Sequence, residues 1–123
     1  LSPTGPTGYA DLARFAIATG RLGEVADAVR AGLEANPHNP VLEGLCAYAA
    51  VEALSRSDAG AAASLHESLL AQDPRSPDAW HWISVYLEAA GHKTGSEEAL
   101  RRAQQLAPRL KPNDYQERLL CGR

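Results

Sequence analysis

Four histidines, two cysteines and one Ser-x-His-Glu run are the residues here whose types do chemistry, and their spacing decides what chemistry is open to them. His38, His66, His81 and His92 are scattered, with no His-Glu-x-x-His run and no Cys/His cluster, so they form no metal-ligand pattern. Cys46 and Cys121 lie far apart and make no Cys-x-x-Cys; they read as two buried or incidental thiols, with a disulfide left open. Ser64, His66 and Glu67 are neighbours, but nothing around them presents a nucleophile on a strained turn or supplies an oxyanion hole. The stretches "TGRLG" (19–23) and "GHKTG" (91–95) lack the spacing of a phosphate-binding loop. The expectation is no catalytic residue, no metal and no cofactor in this chain.

The bulk numbers point the same way. At 123 residues and 45% apolar content the chain is one domain able to bury a core without staples. A net charge of −3 argues against a nucleic-acid partner, which calls for clustered Lys and Arg. The most apolar run, "LEGLCAYAAVEAL" (42–54), is short and interrupted by Glu43 and Glu52, so no membrane insertion is expected. There is no methionine, and "LSPTGPTG" has none of the regions of a signal peptide; a processed chain or a segment of a longer one is expected. Arginine outnumbers lysine ten to two and alanine is abundant, a composition that fits a bacterial source; cytoplasm and periplasm are both open.

The elements that would position any site are punctuated by proline. All eight prolines come in pairs, Pro3/Pro6, Pro37/Pro40, Pro74/Pro77 and Pro108/Pro112, whose first members stand 34, 37 and 34 residues apart. Between pairs the sequence is rich in alanine and leucine and poor in alternation, which predicts helices over 9–18, 24–35, 41–54, 61–72, 78–90 and 97–107, and a last one over about 113–121. The first proline of each pair ends a helix; the second fits the first turn of the next, where its missing N–H costs nothing. Asn39 and Ser76 are placed as N-caps, and Asn113 with Gln116 makes a capping box. Aligned on the closing prolines, Val25, Ala62 and Ser96 coincide. Aligned on the opening ones, the compact residues Ala13, Ala47 and Ser84 coincide, as expected where two helices cross closely. Unit two carries three extra residues around "SRSDAG" (55–60), and the second helix of unit three reads one turn short.

A period near 34 residues, two helices per period, small residues at the crossing and proline at the close resemble the tetratricopeptide repeat family. The resemblance rests on Tyr9, Leu12, Ala13, Gly20, Leu22, Leu33 and Pro37 in unit one and on Trp80, Ile83, Ser84, Gly91 and Pro108 in unit three. Unit two departs, with Glu43 where the family prefers an aromatic. It implies an all-α, right-handed α-solenoid of three helix-turn-helix repeats (about 6–39, 40–76 and 77–111) after a leader at 1–8, closed by a capping helix at 113–121.

The resemblance also implies a concave groove lined by the first helix of each repeat. The family's groove positions fall on Ala10, Arg14, Ile17 and Ala18, on Gly44, Tyr48, Val51 and Glu52, and on His81, Val85, Glu88 and Ala89. These give an apolar floor (Ile17, Val51, Val85), polar handles (Arg14, Tyr48, His81) and the carboxylates Glu52 and Glu88; an ordinary solvated face is the plain alternative. The Lys and Asn that grip a C-terminal carboxylate in one branch of the family are missing. The Pro-x-x-Pro spacings of Pro37/Pro40 and Pro74/Pro77 are hemmed in by helices and read as joints, not as ligands. In "WHW" (80–82), Trp80 with Ile83 and Leu87 reads as core. Trp82 with Tyr86 packs on helix 65–72 or else forms an exposed aromatic contact patch. His66 is expected to pack within its repeat.

The function expected is non-catalytic: binding a partner protein or peptide through the groove, as a scaffold or assembly module. The alternatives are a substrate-positioning or assembly domain of a larger enzyme or of a secretion or envelope assembly protein, and self-association by end-to-end stacking.

Overall fold

The computed structural model describes residues 5–121, and every regular element among them is a helix: α1 (Pro6–Ala18), α2 (Leu22–Ala35), α3 (Pro40–Ser55), α4 (Ala59–Ala71), α5 (Pro77–Ala89), α6 (Lys93–Leu106) and α7 (Pro112–Cys121). Residues 1–4 of the expected leader, with Pro3, lie outside the described residues; α1 starts at Pro6, ahead of the expected Tyr9. The prolines sit where the helix-end argument puts them, with Pro6, Pro40 and Pro77 in the first turns of α1, α3 and α5. The side chains of Asn39 and Ser76 accept the amide hydrogens of Leu42 and Ala79, satisfying donors that a helix start leaves unpaired. At α7 the expected capping box is replaced: Asp114 Oδ2 accepts from the Lys111 amide at 2.7 Å, and Asn113 lies inside the first turn.

The helices pair in chain order into three hairpins, α1 with α2, α3 with α4 and α5 with α6. The expected small-residue crossing is visible in the third, where Ser96 Oγ donates to the Ser84 carbonyl at 2.8 Å. Ala13, Ala47, Val25 and Ala62, which hold the matching positions in the other two, are buried. Each hairpin turns through a left-handed residue at one repeat position, Gly20 (φ 74°), Ser57 (φ 63°) and Gly91 (φ 87°). Each second helix begins two residues later, so α6 is not a turn short; it has 14 residues, as α2 has. The three extra residues of unit two likewise lengthen α3 to 16 residues, against 13 in α1 and α5, and leave the turn unchanged.

α3 is the centre of the molecule, packed against α1, α2, α4, α5 and α7. That is why its sequence is apolar nearly all round: nine of its residues, including Leu42, Leu45, Cys46 and Ala49, are buried on several faces at once. Gly32 lets α2 come against both neighbours, since a Cβ there would stand 2.8 Å from Tyr9 Cβ and 2.9 Å from Leu42 Cδ1. Glu43 is fully buried. It reaches the loop before α5, where its Oε1 accepts from the amides of Arg75 and Ser76 at 3.1 and 3.0 Å. Among the described residues no helix is long and apolar enough to cross a membrane.

Candidate functional site

Counted from their opening prolines, equivalent residues of α1, α3 and α5 fall into rows, and burial is graded from one row to the next. Four residues on, Ala10, Gly44 and His81 are buried. Eight on, Arg14, Tyr48 and Val85 are half-buried. Farther on, Ile17, Val51 and Glu52 are half-buried, while Ala18, Glu88 and Ala89 are exposed. One half of the expected groove is therefore covered and the other is open.

The cover is α7. Tyr115 lays its ring flat on His81, with centroids 4.4 Å apart and planes 11° from parallel. Arg118 forks both nitrogens onto Asp78, Nε to Oδ2 and Nη2 to Oδ1, each at 2.9 Å, a two-point ion pair at the first turn of α5. Arg14 of α1 donates from Nε to the Leu119 carbonyl at 2.7 Å, satisfying an acceptor near the C-terminal end of α7. Tyr115 and Leu119 are buried by these contacts at 3% and 4% exposure. The expected terminal cap thus folds back over the first-helix face, packing on α5 and α3. Cys121 ends α7, and its thiol lies outside the described side chains.

Asp78 matters in the covered half for a second reason. A Cβ at Gly44 would stand 3.0 Å from Asp78 Cβ, a tight contact that glycine avoids where α3 meets α5. Burial holds the His81 imidazole below its ordinary 6.5, the nearby Asp78 pulling the other way, so the ring under Tyr115 is neutral at pH 7. His81 Nδ1 and Trp82 Nε1 are buried and find no acceptor or donor among the described residues.

In the open half Tyr48 is the fixed point. Its hydroxyl donates to Glu52 Oε1 at 2.7 Å, and its ring meets Trp82 edge-on at 4.9 Å and 79°. Burial, followed by that hydrogen bond to a carboxylate, pushes its hydroxyl up to about 12. Arg56 Nε lies 3.7 Å from Glu52 Oε2, so the carboxylate is shared between tyrosine and arginine.

The aromatic patch is settled by burial. Trp82 and Tyr86 are each 8% exposed and form no surface patch. Tyr86 meets α4, its ring 4.6 Å from that of His66, a contact that joins two hairpins. Trp82 faces Tyr48 of α3 and His81 of its own helix. Trp80, expected in the core, is only half-buried. Its Nε1 donates to the Pro74 carbonyl at 3.0 Å, and the Arg102 guanidinium sits 4.5 Å over its ring. It edges a cavity of about 300 Å³ shared with His66, Leu70, Ile83 and Leu87.

Cys46 is buried, its thiol 3.8 Å from the Leu65 carbonyl, and burial pushes it up to about 12, which leaves no reactive thiolate at pH 7. Among the described residues no group of three His, Cys, Asp or Glu side chains is placed to hold a metal ion. Sequence reasoning missed Asp78, Tyr115 and Arg118. The available signal was the spacing Tyr115, Arg118, Leu119, which marks a short helix with one adhesive face. No family model matches the sequence, and no curated protein does.

Proposed function

We propose that this chain is a protein-recognition module: three tetratricopeptide-like hairpins stacked as a right-handed solenoid, binding a partner protein or peptide across the face of α1, α3 and α5 without catalysis. The observation that carries this reading is the open half of that face. There, Ile17, Val51 and Val85 come from the first helices of the three hairpins and, like Tyr48, stand half-exposed. Tyr48 is pre-ordered by Glu52 and Trp82, and a rigid aromatic that loses little freedom on binding is the kind of residue that anchors interfaces.

The test is capture of partners from the native cell with the full chain as bait, beside a Tyr48→Ala/Val51→Glu variant whose helical circular dichroism matches. A partner retained by the wild type and lost by the variant is expected. A partner retained equally by both places recognition elsewhere and sinks this reading.

A further inference from the structure

The covered half of the face holds a specific occupant, and the way it is held describes what else would fit. We propose that this half is a docking surface for an amphipathic helix from a partner, carrying an aromatic residue, an arginine three positions on and an aliphatic residue next to it, and that α7 is the chain's own displaceable occupant of the surface. The proposal deepens the recognition reading above and rests on it.

Three observations carry it. First, α7 is held through Tyr115, Arg118 and Leu119, which meet His81 and Asp78 of α5 and Arg14 of α1. None of these contacts needs the covalent link through 107–111, so a separate helix with the same three residues can make them all. Second, the surface is selective. The Asp78 side chain is 10% exposed and gives both oxygens to Arg118. A helix without a cation there would leave a buried carboxylate unpaired, which the surface rejects, and a lysine would lose the fork. Third, α7 is weakly committed. It has ten residues, shorter than a helix that holds its shape alone in water. Asn113, Gln116 and Glu117 face solvent, and among the described side chains of α7 two are buried, Tyr115 and Leu119, beside the Arg118 ion pair and the Arg14 hydrogen bond. Segments with so few buried contacts open before the rest of a fold.

The probe is a fluorescent synthetic peptide of residues 111–121 with Cys121→Ser, titrated into the full chain. The comparison is a full-length Tyr115→Ala/Arg118→Ala variant, in which the resident helix has lost its anchors. The peptide is expected to bind that variant about ten-fold more tightly than the wild type, because the resident competitor is removed. A peptide carrying Arg118→Ala is expected to bind the variant at least about ten-fold more weakly than the unaltered one. A folded variant that takes up neither peptide overturns the proposal. So does a variant that forms a concentration-dependent dimer and takes up no peptide, since a second copy then owns the surface. Should the variant fail to fold, hydrogen exchange on the wild-type chain decides: α7 amides exchanging well ahead of those of α3 support displacement, and equal protection overturns it. The peptide assay does not involve the native partner. A positive peptide result with no captured partner would therefore sink the recognition reading alone, and the converse would sink only the α7 proposal.

Discussion

Trp80 and Trp82 stand two positions apart on α5, and the molecule treats them differently. Trp82 is 8% exposed and wedged against Tyr48 and His81, whereas Trp80 is half-buried at a hairpin joint under Arg102. Truncating a large buried aromatic costs the lost transfer energy plus a cavity, so Trp82→Ala is expected to cost about 3–5 kcal/mol. Trp80→Ala removes part of that area, one hydrogen bond and a cation–π contact at the surface, and is expected to cost less than about 3 kcal/mol. Urea denaturation of the two variants gives the order, and a less stable Trp80→Ala would overturn the assignment. Trp82→Phe should be far milder than Ala, because it keeps most of the ring and deletes a donor with no protein acceptor. The sequence placed the two tryptophans on different helix faces correctly. It could not say which face is deeper, because that depends on Tyr48 arriving from α3, a contact that leaves no trace in α5's own pattern.

At the scale of elements, the punctuation was legible because it is chemically local. Proline in a first turn and Asn39 or Ser76 as a cap act on residues three or four positions away, so helix starts at 40 and 77 follow from the sequence. The turns were read less well: the insertion in unit two looked like loop because Ser55, Ser57, Asp58 and Gly60 are weak helix formers, yet α3 runs through Ser55. The turn itself is then forced into the left-handed conformation at Ser57, where units one and three supply glycine. A side chain at positive φ costs about 1–2 kcal/mol relative to glycine, partly offset by the extra freedom glycine has when unfolded. Ser57→Gly is therefore expected to stabilise the protein by about 1 kcal/mol, read as a rise in melting temperature of a few degrees. An unchanged or lower melting temperature would show that the turn carries no such strain. The position of α7 was not legible at all. A helix at a chain's end can extend an array or fold back over it with the same local sequence, and the choice is made by Asp78 and His81, far away in sequence.

Across the whole molecule, α5 is where two joints meet, and a histidine sits in each. His66 of α4 stacks on Tyr86 with Glu67 and His92 nearby; His81 of α5 stacks under Tyr115 with Asp78 and Arg118 beside it. Burial holds both rings below the ordinary 6.5, outweighing the carboxylates that favour the charged form. Both rings are therefore neutral in the fold, while the unfolded chain takes up protons as pH passes 6.5. Stability attached to these joints is complete above pH 6.5 and falls as pH drops below it, until the folded-state values are reached. The interval between pH 7 and 5.5 brackets the ordinary histidine value and is where the two rings are read. The unfolding free energy is expected to fall over that interval. Replacing both rings, as His66→Gln/His81→Gln, should flatten the fall. The loss should also be directional: hydrogen exchange at pH 5.5 should quicken in α7 and at the α4–α5 joint before it does in α1 to α3, because the two rings whose burial opposes protonation sit at those contacts. Equal slopes in wild type and double variant, or a uniform quickening along the chain, would show that the joints around α5 are not where the protein senses acid.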